Sequence, residues 1–191
     1  MPHISYVDPS SIDDPEIVAI LERARQLGTP RPESQAIRAH HPEVMKAFNQ
    51  AWETFFRQGS VDHSIKELCR LYISKSVDCE YCGGQRSVTA AEQGTSESQI
   101  DEILEFDTSD RFDEREKAAL RWAMAIAWDA DLADEQVWAD LHRHFTEPEL
   151  IELGHFIALT LGQQRFLKTV RLGHGEYMAD TKAGLAPELA S

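Results

Sequence analysis

Periodicity constrains this chain more than any other feature. Its apolar residues recur at intervals of three and four along most of its length, which is the pattern of helices with one buried face. Val, Ile and Thr form no alternating run, and neither Asn-Gly nor Asp-Gly occurs. Strands therefore lack both their pattern and their tightest turns. The sequence reads as all-α. The first helix is expected over residues 14–27, with Asp13 or Asp14 as cap, Pro15 in the first turn and Gly28 at the end. A Pro-rich break at 29–32 precedes a short helix over 34–40. A longer helix follows over 43–58, with Val44, Ala47, Phe48, Ala51, Trp52, Phe55 and Phe56 as its stripe. Asp62 opens a helix over 63–77 with Ile65, Leu68, Cys69, Tyr72 and Ser76 on one face. Asp78 reads as the cap of a helix over 79–93 that ends at Gly94. A small helix begins at Ser96, and residues 106–111 read as a polar linker. Helices over 113–128, 134–145, 146–163 and 165–178 complete the outline, and the tail from Ala179 is expected to fray.

At 191 residues the chain has the length of about one to one and a half domains of roughly 150 residues. The expectation is one all-helical domain over 1–191, with related halves at about 34–105 and 112–178. The basis is a faint repeat: KELCRLYIS (66–74) aligns with IELGHFIAL (151–159), Glu67 with Glu152 and Arg86 with Arg171. In the same register Cys79 falls on Gln164 and Cys82 on Leu167, so only the first half is expected to carry chemistry. Nineteen Lys and Arg against 33 Asp and Glu give a net charge of −14. Such a surface repels phosphate backbones and anionic lipid, which argues against nucleic-acid and membrane partners. No apolar run approaches the roughly 20 residues of a membrane span, and residues 1–16 lack the pattern of a secretory leader. A cytoplasmic location is the expectation.

The segment 67–94, ELCRLYISKSVDCEYCGGQRSVTAAEQG, holds the informative chemistry. Cys79 and Cys82 form a C-x-x-C pair at an expected helix start, where free N–H groups favour a thiolate. An ordinary thiol is only about 3% ionised at pH 7, so a depressed pKa separates a reactive cysteine from an inert one. Asp78 and Glu80 oppose ionisation. Arg86, four residues after Cys82, is expected on the same helix face and supports it. Half a zinc site is a second reading, but Cys69 is the sole remaining thiol and the next histidine downstream is His142, so the four ligands of a structural site are not at hand. Two buried, inert cysteines are a third reading. Cys69 itself sits on an apolar stripe and reads as core. Glu67 is either a proton acceptor one helix away or a solvated partner of Arg70. His40 and His41 read as a helix-end pair, His155 as a core histidine, and Trp122 and Trp128 as core or a subunit interface. No glycine-rich phosphate loop, G-x-S-x-G or H-E-x-x-H is present, and no cofactor or metal is expected.

These residues resemble the carboxymuconolactone decarboxylase and alkylhydroperoxidase D-like family. Its hallmark is a Glu, a C-x-x-C beginning twelve residues later, and a His four residues after the second Cys. Glu67, Cys79 and Cys82 fall on that pattern, and the segment RAHHPEVMKAF before them is similar too. The likeness covers about residues 34–105 well and the second half more loosely. The resemblance implies an alkylhydroperoxidase D-like helical bundle and a thiol-dependent peroxidase. Cys82 would meet the hydroperoxide, Cys79 would resolve the sulfenic acid as a disulfide, and Glu67 would transfer protons. A lipoylated or thioredoxin-like dithiol would restore the pair, in a trimeric or hexameric homo-oligomer. Arg86 stands where the family has its His, and Tyr81 where some members have another. Arginine does not shuttle protons near neutral pH, so Arg86 either activates Cys82 by its charge or marks slow turnover. Two other readings stand beside the peroxidase: a lactone decarboxylase that does not need the cysteines, and a non-enzymatic redox sensor or structural protein.

Overall fold

The computed structural model describes residues 2–190. Its regular elements are α1 (Pro15–Leu27), α2 (Pro32–Arg38), α3 (Pro42–Trp52), α4 (His63–Ser76), α5 (Glu80–Gly83) and α6 (Val88–Glu92). They continue with α7 (Glu97–Asp101), α8 (Glu114–Trp128), α9 (Glu135–His144), α10 (Glu147–Val170) and α11 (Pro187–Ala190). Among the described residues there is no strand; the one β-type pairing is an isolated bridge between Gln85 and Leu185. The fold is all-α, as the periodicity implies.

Several ends are set by local chemistry. The Asp14 side chain accepts the Glu16 N–H, and Gly28 closes α1 in the left-handed region at φ 73°. Reciprocal capping boxes start α7 (Ser96 with Gln99), α8 (Asp113 with Glu116) and α10 (Thr146 with Glu149).

α4 is the central helix. α8 and α10 pack against it, with Ala118, Ala119 and Ala123 of α8 facing Leu68, Leu71 and Ile73 in one core that also holds Leu153 and Ile157 of α10. Enclosed in this way, α4 buries its polar residues as well: Lys66, Glu67, Arg70 and Ser74 are all at most 2% exposed. Each then needs an internal partner. Lys66 Nζ finds Glu152 Oε1 of α10 at 2.8 Å and the Phe55 carbonyl at 3.0 Å. Beside this core Phe56 stacks on Phe156 at 5.0 Å.

The structure corrects seven expectations. The helix over 79–93 is two short helices separated by residues 84–87, because the backbone there pairs elsewhere. Arg86 N–H donates to the Gly184 carbonyl and Gly84 O accepts from Ala186 N–H, both at 2.9 Å. Asp78 is no cap: it sits at φ 53° and faces Lys168. The expected helices over 146–163 and 165–178 are instead the single 24-residue α10, which ends where Arg171 turns left-handed. The tail is not frayed: the Arg31 guanidinium, fully buried, donates to the carbonyls of Thr181 (3.1 Å) and Ala183 (2.8 Å). Gly28 and Gly184, both at positive φ, touch so closely that a Cβ on either would collide with the other's backbone. The 106–111 stretch gives Phe106 to the core, edge-on to Tyr72. Finally, His155 lies on the surface with Nδ1 on the Ile151 carbonyl. In α3, Met45 takes the buried place expected of Val44, which is 53% exposed.

Candidate thiol site

Cys79 and Cys82 are joined by a disulfide with Cα atoms 5.3 Å apart, and both are buried. The left-handed Asp78 turns the chain sharply after α4, and Cys79 N–H then donates to the Ser74 carbonyl at 2.9 Å. Cys79 is the N-cap of α5, its Sγ accepting the Cys82 N–H at 3.4 Å. α5 is a single turn, so the macrodipole expected to lower a thiol pKa is small, and this one N–H is what remains of it.

The turn is held from beneath by α4. Arg70 donates through Nη1 to the Cys82 carbonyl (2.9 Å) and through Nη2 to the Gln85 carbonyl (2.8 Å). Its Nε and Nη2 also grip both oxygens of Glu67, at 2.6 and 2.7 Å, in the paired geometry that suits guanidinium and carboxylate. Glu67 Oε1 accepts the Ser87 N–H at 2.8 Å. Glu67 is thus buried beneath the thiol turn, and the solvated surface alternative is overturned. Ser87 Oγ in turn lies 2.7 Å from His63 Nε2. His63 Nδ1 faces the Phe56 carbonyl at 2.9 Å, which can only accept, so the imidazole proton sits on Nδ1 and Nε2 accepts from Ser87. Burial pushes the His63 pKa down to about 4, so this imidazole is neutral at pH 7.

Arg86 is not on a helical face shared with Cys82, because the helix is interrupted before it. Its guanidinium pairs with Glu97, Nε and Nη2 each at 2.9 Å, and Nη1 donates to the Gly83 carbonyl at 2.6 Å. Tyr81 lies on the opposite side, its hydroxyl 3.3 Å from Glu33 Oε2 and its ring stacked on His174. Cys69 is fully buried in the α4 core, and burial pushes its thiol pKa up. Among the described residues no group of three or more His, Cys, Asp or Glu is placed to hold a metal ion.

The two sulfur-bearing residues border different spaces. Cys82 lines a narrow cavity with Arg38, Trp52, Arg70 and Gln164. This cavity measures about 20 Å³, room for about one water. Cys79 lines an outer cleft of about 310 Å³ with Asp78, Glu80, Lys168 and Arg171. Reading the sequence missed Arg38, Ser87 and Gln164 as neighbours of the site. Arg70 left a signal in its i, i+3 spacing from Glu67, but that spacing does not show that the pair is buried.

Residues 42–125 match the model of the carboxymuconolactone decarboxylase family. An uncharacterized protein of Mycobacterium tuberculosis (strain ATCC 25618 / H37Rv) is 34% identical over 115 residues, which is 60% of this chain and 40% of that protein. The chain therefore spans about 40% of the length of the curated relatives it matches. The debrominase Bmp8 in its apo form superposes with a TM-score of 0.74 at 20% identity, over 98% of this chain and 94% of that one. The alkylhydroperoxidase AhpD core of an uncharacterized peroxidase-related protein from Ralstonia eutropha JMP134 gives 0.74 at 14%, over 99% and 94%. A protein of unknown function from Agrobacterium tumefaciens, grouped with AhpD antioxidant-defence proteins, gives 0.62 at 22%, over 72% and 94%. These likenesses establish a shared fold.

Proposed function

From a chain that belongs, through residues 42–125, to the carboxymuconolactone decarboxylase family, we propose a thiol-dependent peroxidase of the alkylhydroperoxidase D-like kind. The observation that supports it best is a closed Cys79–Cys82 disulfide whose two residues border separate spaces. One thiol can meet a small oxidant in the narrow space while the other meets a bulkier reductant in the wider one. In the reduced enzyme the Cys82 thiolate attacks one peroxide oxygen. The O–O bond breaks, the other oxygen leaves as an alcohol with a proton, and Cys82 becomes a sulfenic acid. The Cys79 thiol then attacks that sulfur, water departs and the disulfide closes. A lipoylated or thioredoxin-like dithiol attacks Cys79 from the outer cleft and returns two electrons and two protons, which frees both thiols.

Glu67 takes the thiol proton in this scheme, and Arg70 keeps it beneath the turn. Arg86, with its charge already met by Glu97, acts as a positioning residue through the Gly83 carbonyl. The protein works as a homo-oligomer, trimeric or hexameric as in its family.

Hydroperoxide consumption with dihydrolipoamide as donor tests the scheme. Cys82→Ser is expected to lower turnover at least 100-fold. Cys79→Ser should leave one stoichiometric oxidation of Cys82 and no cycling. Full activity in Cys82→Ser rules the mechanism out. Loss of CO2 from a lactone acid by a Cys79→Ser/Cys82→Ser protein would establish the lyase in its place.

A further inference from the structure

Five residues that line one cavity, the one that Cys82 lines, each carry a buried polar atom without a hydrogen-bond partner: Arg38 Nη2, Trp52 Nε1, Thr160 Oγ1, Gln163 Nε2 and Gln164 Oε1. Buried polar groups are nearly always paired, so five orphans on residues around one cavity mark a place shaped for something that pairs them. Among them Arg38, Trp52 and Gln163 carry obligate donors, the Thr160 hydroxyl can donate, and Gln164 Oε1 alone must accept. The set asks for a ligand rich in acceptors.

Arg38 supplies the sign. It is 7% exposed, and Nη1 donates to the Ser34 carbonyl (2.7 Å) and Gln35 Oε1 (3.1 Å). Its guanidinium lies 3.8 Å from the Phe48 ring centre. None of these partners is an anion, whereas Arg31, Arg70 and Arg86 hold Glu33, Glu67 and Glu97. Burial pulls the Arg38 pKa down to about 9, which leaves it charged at pH 7. A desolvated cation without a counter-ion is costly, and in a chain of net charge −14 carboxylates to pair it are not scarce. Arg38, Phe48 and Gln163 also line an outer groove of about 300 Å³ with Ile37, Val44 and Phe166. Arg38 therefore stands where an open, largely apolar groove meets the Cys82 cavity.

Resting on the redox reading above, we propose that the oxidant reduced at Cys82 is the hydroperoxide of a small organic acid, seated in the groove of about 300 Å³ with its carboxylate on Arg38. Only the hydroperoxide oxygens reach into the cavity beside Cys82, which has room for about one water, and Trp52 and Gln163 bring further donors to its lining.

Iodoacetate and iodoacetamide test this, since they differ in charge and little in size. The reduced full-length protein is alkylated with each at pH 7, and the Cys82 peptide is quantified by mass spectrometry. The iodoacetate-to-iodoacetamide rate ratio at Cys82 is expected to exceed that of glutathione at least tenfold. It should fall to the glutathione value in Arg38→Gln and largely return in Arg38→Lys. In the wild type, acetate should slow iodoacetate at Cys82 while acetamide does not, a readout that holds even if Arg38→Gln fails to fold. A wild-type ratio at or below that of glutathione, a ratio unmoved by Arg38→Gln, or no modification of Cys82 by either reagent overturns the proposal. Turnover of a carboxylate-bearing alkyl hydroperoxide and of tert-butyl hydroperoxide with dihydrolipoamide, measured in parallel, separates the two readings. Selectivity without turnover of either keeps the carboxylate site and sinks the peroxidase; turnover without selectivity sinks the carboxylate site alone.

Discussion

Arg70 shows how one side chain can organise a site without bearing its chemistry. It joins Glu67 to the carbonyls of Cys82 and Gln85, so the position of the thiol turn is fixed from α4. Cys79 and Cys82 stood out by their spacing, and Glu67 through the family pattern it completes with them. Arg70 was legible only as a solvated partner of Glu67, because an i, i+3 ion pair reads as a surface pair until the helix is known to lack an exposed face. His63, at a helix start, likewise looks like a solvated residue, yet it is 7% exposed. Its neutral imidazole links pH to stability. The folded pKa of about 4 lies below the unfolded value of about 6.5, so between these two the unfolded chain binds the extra proton. The stabilisation is fully present above pH 6.5 and is lost as pH falls toward 4. Urea unfolding should show about 2 kcal/mol less stability at pH 5 than at pH 7 from this residue, and His63→Gln should flatten that part of the profile. An unchanged slope in the variant would remove His63 from the account.

At the scale of elements, the helices with strong caps were read nearly to the residue: 14–27 against Pro15–Leu27 and 113–128 against Glu114–Trp128. The break at 84–87 was not, since Gly83 and Gly84 permit it but distant partners, Arg70 and the tail, cause it. The missing break in α10 has the opposite origin: Gln164 reads as polar punctuation but donates to the Arg70 carbonyl from inside the bundle at 2.9 Å. The link between α4 and α10 is made again by Lys66 and Glu152, the latter also accepting the N–H groups of Ser60 (2.7 Å) and Val61 (3.2 Å). Glu152→Ala leaves Lys66 buried with no counter-ion and two N–H groups unpaired. A loss of about 3–5 kcal/mol is expected by urea unfolding. Lys66→Met combined with Glu152→Ala should lose less than Glu152→Ala alone, because the stranded charge is gone. A double variant less stable than the single one would refute this view of the pair.

For the whole molecule, the segment most misread is the C-terminal tail, whose polar, glycine-containing sequence looks like a free end. Much of its hold on the body is made of backbone groups, which carry no sequence signal. The Thr181 and Ala183 carbonyls take Arg31, and the Gly184 carbonyl takes the Arg86 N–H. Gly28 and Gly184 meet at a distance only two glycines allow. The tail thereby crosses the loop that follows the thiol turn, with Gly84 and Gln85 pairing directly to Ala186 and Leu185. Removing residues 179–191 frees Arg31, fully buried and then facing Glu33 alone, and unpairs the 84–86 backbone. Several lost hydrogen bonds of about 1 kcal/mol each amount to a fall in Tm of roughly 6–12 °C for a chain of this size. The same loss should loosen the disulfide turn. Reduction of Cys79–Cys82 by dithiothreitol, followed by thiol release, is then expected to run several-fold faster in the truncated protein than in the full chain. Gly184→Val in the full chain should reproduce both effects in part, because its side chain collides with Gly28. Equal reduction rates in all three proteins would show that the tail stabilises the fold without restraining the thiol turn.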